Sequence, residues 1–566
     1  MTQTPAISFL SITIILTACG CYESYPIDEG NKRTVDDTTP LEQIELSEFD
    51  IQPNPYETAA LTAVISARHE KLNPEQVTEI RVTVKGKGRA SDYSAVLKPS
   101  SVSYQANFDM SDIVADTDVG IPVLGLYPDH DNAIEFEIST ATAHFTGKTT
   151  ITTNPLESHA DEIVTVSVAD TKKMEPGWTY VNNRMYDNDG ICRWVGPNIF
   201  HLRSDGNITG RTDDFNWLGK KLVDRTLPED LADHHDNIEL PNGNNIICVT
   251  DSKSEMVNYL GKTLDSLQDA AVEYDNKTGE IVNAWDLRAF LDVNRATYVL
   301  RKGDWFHLNT LCYDEQDDTV IFSGRHQGIA AVTRGGIQGS EPNKGKTLKW
   351  ILAPHLDWDQ SGWNGQGELD PRDYLLTAVD ADGVPYNEDV QNNLAPPAPN
   401  ADDFFWPVGQ HGLVLTFRSK NKLRLMTFNN QASYIFDGPD TINNGAWFGM
   451  MSDRSNDRSE IPFSQIIEYE IDEAEMTVKK TWSFGEYDPE LYGSFQSAVN
   501  VLPITGNKMM YSSGLSMVNT ADNPRNPTVV EITGDDEVVF YFEIENTELL
   551  AYRAGRVDLY HAVIEE

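Results

Sequence analysis

Along most of this chain, a turn followed by a strand that ends in an aromatic residue keeps returning. It reads GNITGRTDDFNW to Trp217, NKTGEIVNAW to Trp285, NKGKTLKW to Trp350, DEAEMTVKKTW to Trp482 and GDDEVVFY to Tyr541. Successive aromatics are 68, 65, 132 and 59 residues apart. The third interval reads as two steps, with the missing phrase inside LTFRSKNKLRLMTF, which gives six units of roughly 65 residues. A second phrase repeats as LPNGNNIICV and LPITGNKMMYSS. A unit of four short strands cannot bury both faces alone, so units of this kind stack around an axis. The period therefore predicts a six-bladed β-propeller over residues 169–566. It also explains how 566 residues exceed one ordinary domain without a second long hydrophobic core. Inner strands of different blades converge on the axis, which is where a site is expected.

Ahead of the repeats, residues 46–168 carry short alternating runs such as ALTAVISAR, VTEIRVTVKG, AIEFEIST and IVTVSVAD, separated by turn residues. No helical period intervenes, and a small β-sandwich is the expectation. The fold class is thus all-β. Residues 19–45 are polar and read as a tether. The first 18 residues contain an apolar run from Ile7 to Leu16, too short to span a bilayer as a mature helix. That run closes on Leu16, Thr17, Ala18 and Cys19, which resembles the lipobox of bacterial lipoprotein signal peptides. The resemblance implies cleavage before Cys19 and lipidation of its sulfur. Gly20 carries no inner-membrane retention signal, so the expected location is the periplasmic face of the outer membrane, with a soluble periplasmic form as the alternative.

The formal net charge of −44 argues strongly against nucleic acid or an anionic membrane surface as the main partner. In so acidic a chain, a local cluster of His and Arg stands out. The segment DWFHLNTLCYDEQDDTVIFSGRHQ reads as a hairpin around an acidic turn. Folding it about Gln316 sets His307 opposite Arg325 and Asn309 opposite Ser323, all four on one strand face. Phe306, Leu308, Cys312, Val320 and Phe322 then fill the other face as core. His234 and His235, in DHHDNIELPNGN, and His411, in FFWPVGQHGLVLTF, also precede or open strands. Histidines placed alike at the beginnings of different blades can converge. Cys192, Cys248 and Cys312 show no metal-type spacing, and a disulfide among them stays open.

HHDNIELPNGN, the 304–327 hairpin, LKWILAPHLDW and FFWPVGQH together resemble the successive motifs of bacterial arylsulfate sulfotransferases, and residues 46–168 are similar to that family's N-terminal sandwich. The resemblance implies transfer of a sulfuryl group from a phenolic sulfate ester to a phenol, through a ping-pong cycle and a sulfohistidine. His411 matches the family's nucleophile. His307, Asn309 and Arg325 match the group that holds the sulfuryl oxygens, with Asn309 as a substrate-binding residue. His235, rather than His234, matches the remaining catalytic histidine. Small-molecule donor and acceptor are then the partners, with no metal and no cofactor; the oligomeric state, a homodimer included, stays open.

The chemistry suits these residue types. Sulfuryl transfer needs in-line positioning and stabilisation of charge on peripheral oxygens. Arg325 offers a planar fork of donors, and a neutral imidazole is a competent nucleophile. Two rival functions use the same scaffold: hydrolysis of aryl sulfates with water as acceptor, and a non-catalytic lipoprotein that binds polymers or proteins. A further motif, DWDQSGWNGQGE at 357–368, has carboxylates and a glycine at calcium-loop positions, although Asn364 replaces the usual apolar residue.

Overall fold

The computed structural model describes residues 41–56, 60–157, 162–259, 262–293, 295, 305–336, 342–356, 358–362, 367–392, 404–430, 464–486, 488–493, 495–514, 526–545 and 551–560. The chain is nearly all β; the α-helices among the described residues are two short ones, Val102–Asn107 and Glu388–Asn392. Signal segment, Cys19 and most of the tether lie outside the described residues.

The front domain is a sandwich of a five-stranded and a three-stranded sheet. Alternation in Val77–Val84 and His130–Thr140 sends Ile80, Val82, Ile134, Phe136 and Ile138 inward, against Val64 and Ile65 of the smaller sheet. Two boundaries differ from the sequence reading. Glu42–Glu45, placed in the tether, pairs in parallel with Ala143–Thr146 and belongs to the sandwich. Ile163–Ala169, placed in the sandwich, pairs instead with Val538–Glu545 at the far end of the chain.

Among the described residues six further sheets follow, each with four antiparallel strands at its core. The first comprises Trp178–Val181, Arg184–Tyr186 and Cys192–Val195, completed by the C-terminal strand Ala554–Val557. The second runs from His201 to Asp224, the third from Leu231 to Asp286, and the fourth from Leu308 to Leu352. The fifth holds His411–Arg418, Lys422–Asn429, Gln465–Asp472 and Thr477–Phe484; the sixth runs from Ala498 to Glu545. First strands of successive sheets lie side by side from the third sheet to the sixth, and the sixth touches Ala554–Val557.

The aromatic period has a physical cause. Trp194, Trp285, Trp350 and Trp482 sit on the fourth strands of the first, third, fourth and fifth sheets. Each indole N–H reaches the end of the third strand of the next sheet or the turn that follows it. The acceptors are the Trp217 carbonyl at 3.1 Å, the Thr333 carbonyl at 3.4 Å, Glu473 Oε1 at 3.1 Å and Asp536 Oδ1 at 2.7 Å. Between the second and third sheets, Arg225 makes the equivalent reach to Asn276 at 2.8 Å. The aromatic is thus both core and clasp between sheets. Trp217 itself lies on a receiving turn, one strand earlier than its phrase suggests. The described residues of the 132-residue interval form one sheet where the period predicts two, with LTFRSKNKLRLMTF as its first two strands.

The sandwich is seated on the first sheet. The Arg193 guanidinium donates to the Gly125 carbonyl at 2.9 and 2.6 Å, and its carbon lies 3.5 Å from the Tyr127 ring centre. Trp178 packs on Tyr93 with ring centres 4.1 Å apart. Just before that strand, Gly177 has φ +105°, and a Cβ there would stand 2.6 Å from the Val557 backbone. Gly177→Ala is therefore both strained and overpacked, and is expected to cost roughly 1–3 kcal/mol, read as a lower midpoint in urea unfolding.

Candidate active site

Hairpin geometry comes first, because it contains a correction. His307 and Arg325 are opposite, as the arithmetic about Gln316 requires: the Arg325 N–H donates to the His307 carbonyl at 3.1 Å. Asn309 is not opposite Ser323. Leu308 faces Gly324, but Ser323 faces Thr310, so Asn309 is the extra residue of a bulge. One inserted residue reverses the alternation beyond it. Leu311 therefore joins Phe306, Leu308, Val320 and Phe322, while Cys312 turns to the opposite face with Ile321, against the fifth sheet. Cys192, Cys248 and Cys312 are free thiols.

A wider bulge carries the other histidines. In Leu231–Glu239, Asp233 faces Val249 and the next pair is Asn237 with Ile247. His234, His235 and Asp236 thus stand against Cys248 alone. His235 and His307 both have left-handed backbones, with φ of 54° and 55°, as do Gln496 and Ser497 at 58° and 83°. Strained non-glycine residues of this kind persist only where packing over-determines them. His307, Gln496 and Ser497 precede the first strands of their sheets, whereas His234 and His235, expected to precede or open a strand, lie inside one, at the bulge that interrupts Leu231–Glu239.

His411 opens the fifth sheet and is buried. Its Nδ1 lies 2.8 Å from Asn430 Oδ1. The Asn430 amide nitrogen donates to the carbonyls of Gly493 and Gln496 at 2.7 and 3.1 Å, which fixes its oxygen toward the imidazole. His411 Nδ1 is therefore the donor, and Nε2 carries the lone pair, accepting the Gln496 N–H at 3.3 Å. Burial, then the charges of Arg325, His307 and His235, hold the His411 pKa well below the usual histidine range.

The surrounding rings close the site. His235 is 4.8 Å from His307 and 5.6 Å from Tyr552, which is itself 5.9 Å from His411. His234 stands behind His235, with the two Nδ1 atoms 2.8 Å apart, so it is His235 that faces the other histidines. The His307 N–H is held by Asp269 Oδ2 at 2.8 Å. Asn309 is buried; its amide donates to the Gln410 carbonyl at 2.6 Å, and its own carbonyl accepts the Tyr552 hydroxyl at 3.1 Å. Asp236 binds His201 at 2.8 Å, Arg553 at 3.0 Å and the Leu311 N–H at 2.8 Å. Burial opposes its charge, yet Arg553 and His201 hold its carboxyl well below the usual range.

Asn430, Tyr552 and Asp269 escaped the sequence reading. Asn430 directly follows the second strand of the sheet that His411 opens, Asp269 lies on the third strand of the sheet that carries His234 and His235, and Tyr552 stands just before the strand Ala554–Val557; no local pattern marks them. Of the calcium-loop stretch, 357 and 363–366 lie outside the described residues; Asp359 and Ser361 make loop hydrogen bonds to Asp292 and to the 367 and 369 backbone. Among the described residues no cluster of His, Cys, Asp and Glu is arranged to hold a metal.

Fold and site define a class: an all-β protein with a sandwich ahead of a succession of sheets, whose histidines and arginine gather where first strands begin. Residues 156–553 match the family described as Arylsulfotransferase (ASST), and residues 51–155 match the Arylsulfotransferase Ig-like domain. The chain belongs to the arylsulfotransferase family, among the sulfotransferase enzymes. It is 28% identical over 312 residues to the arylsulfate sulfotransferase AssT of Escherichia coli O6:H1, covering 48% of this chain and 44% of that protein. It is 25% identical over 538 residues to the AssT of Lelliottia amnigena, covering 76% and 79% of the two chains.

His411 is expected to stay neutral as pH falls through the ordinary histidine range. Its folded pKa is below its unfolded value, so the folded chain binds fewer protons there. This contribution to stability is complete above about pH 6.5 and is lost progressively as pH falls from there toward the folded pKa. Arg325→Met removes the largest charge contribution and should raise the titration toward the ordinary value, as read by nitrogen NMR of labelled histidine.

Proposed function

We propose that the chain transfers a sulfuryl group from an aryl sulfate to a phenol through a ping-pong cycle, with His411 as the carrier. The observation that supports this most is the His411 tautomer: Asn430 takes Nδ1–H, so Nε2 offers a lone pair, and burial beside Arg325 keeps it unprotonated. In the first half, Nε2 gives up the Gln496 N–H and attacks sulfur in line, the sulfur–oxygen bond breaks, and the departing phenolate takes a proton from His235. In the second, a phenol gives its proton to His235 as its oxygen attacks sulfur. The sulfur–nitrogen bond breaks, and its electron pair returns to Nε2. Arg325 and His307 donate to the sulfuryl oxygens. Asn309 serves that pocket by holding the Gln410 carbonyl, which sets the backbone ahead of His411.

The six sheets are read here as the blades of a six-bladed β-propeller. The neighbouring first strands, the indole clasps and the completion of the first sheet by the C-terminal strand favour that closure. Its axis then passes between His235, His307 and His411.

Brief exposure to an aryl sulfate without acceptor is expected to add one sulfuryl mass to the protein, detected by mass spectrometry under non-acidic conditions. Double-reciprocal plots with donor varied at several acceptor levels should be parallel. His411→Asn should abolish adduct and turnover together. Near-normal transfer by that variant would place the nucleophile elsewhere, and release of free sulfate at the same rate with and without phenol would favour hydrolysis.

For location we propose lipidation at Cys19 and attachment to the periplasmic face of the outer membrane. Cys19→Ala should then shift the protein from the membrane fraction to the soluble one, and a wild-type N-terminus processed elsewhere would refute the anchor.

A further inference from the structure

His234 is not needed by the mechanism above, yet it is placed against the one group whose proton must move. Its Nδ1 is 2.8 Å from His235 Nδ1, and its Nε2 is 3.7 Å from Asp269 Oδ1. A contact between two imidazole nitrogens requires one to donate and the other to accept. Both arrangements are chemically complete, and they differ in which histidine carries an outward N–H.

We propose that Asp269, His234 and His235 form a proton relay, in which His234 stores the proton that His235 exchanges with the phenolic oxygen. This rests on the reading of His235 as acid and base. With one proton stored, His234 is an imidazolium: Nε2–H faces Asp269, and Nδ1–H donates to His235 Nδ1, leaving His235 with Nε2–H. When His235 gives its Nε2 proton to the departing phenolate, the His234 Nδ1 proton crosses to His235 Nδ1. Two neutral rings result, with a lone pair on His235 Nε2. The incoming phenol reverses each step, so protons balance over the cycle.

The reason for storage lies in the charges around His235. Arg325, His307 and His411 are its neighbours in the site, and His411 is already held neutral by burial and, next, by the charge of Arg325. A cation on His235 would add to this cluster and is disfavoured. The carboxylate beside it in sequence, Asp236, is committed to His201, Arg553 and the Leu311 N–H. Tyr552 stays protonated, its pKa pushed up by burial. Moving the charge one ring away sets it beside Asp269, the carboxylate that also accepts the His307 N–H. His234 acts through His235 and is a positioning and relay residue, not one that touches substrate.

A relay shows in leaving-group dependence, which loss of local structure would not selectively alter. A phenolate that leaves readily needs little protonation, whereas a basic one needs it fully. His234→Asn keeps an oxygen near the Nδ1 position, to accept from His235, but cannot become a cation. With phenyl sulfate as donor it should lower kcat/KM by about tenfold or more, while 4-nitrophenyl sulfate stays within about threefold of wild type. His234→Gln, with wild-type thermal unfolding as a check on folding, should do the same. Equal losses with both donors, or none with either, would overturn the relay. His235→Asn separates the two readings. If it steepens the dependence and His234→Asn does not, the relay fails alone; if His235→Asn also leaves the dependence unchanged, the acid–base reading fails with it.

Discussion

Pairing of Trp178–Val181 with Ala554–Val557 is the contact on which the rest of the second region depends. It joins strands from opposite ends of that region, and neither has another way to satisfy its inner edge. Ile163–Ala169 makes a second such join on Val538–Glu545. Between them, Arg556 packs with its Nε 3.2 Å from Glu531, both fully buried. Residues flanking the short C-terminal strand are then delivered to two places. Tyr552 and Arg553 enter the histidine cluster, and Tyr560 takes the Leu124 N–H of the sandwich at 2.7 Å. One strand thereby fixes site and domain seating together, and pays for the loop-closure entropy of nearly the whole region.

Inside that frame, the site is made by departures from regular pairing. A strand whose faces are both buried has no spare side chains, since alternation sends all of them into core. The bulges at Asn309 and at 234–236 break the alternation and release residues toward the end of the sheets. His235 and His307 accept left-handed backbones as the consequence, and hydrogen bonds hold them there: Asp269 on the His307 N–H, His234 on the His235 ring. The strain is local, whereas the packing that opposes its relief is spread over the sheets on either side.

Those departures also mark where sequence reasoning runs out. Alternation was enough to recognise strands, and the aromatic period to recognise a repeated unit, because burial and the indole clasp act on every sheet. The His307–Arg325 pair was legible since the bulge and the turn shift the register in compensating senses. The same arithmetic misplaces Asn309, which is the inserted residue itself, and Cys312, which lies between the two shifts. The long third interval reads as two units by length alone, whereas its described residues form one sheet. Asn430 and Asp269 lie on or just after later strands of the sheets that carry His411 and His235, and Tyr552 comes from beside the strand Ala554–Val557; their meeting depends on pairing and packing that no local spacing encodes.

The same packing reconciles two demands that conflict in solution. On the proposed reading of His411 as the carrier, a sulfuryl group calls for cations while the histidine must be unprotonated, and cations nearby are what keep it so. Arg325 and His307 can therefore serve both ends, provided no carboxylate is close enough to restore the His411 proton. The structure keeps its acids one step back. Asp236 is tied to Arg553 and His201, and Asp269 faces the backbone of His307 and the far side of His234. In a chain of net charge −44 this exclusion matters more than the general field, which screening confines to about 8 Å at physiological salt. An anionic donor would meet repulsion only at the surface, and a locally cationic pocket within.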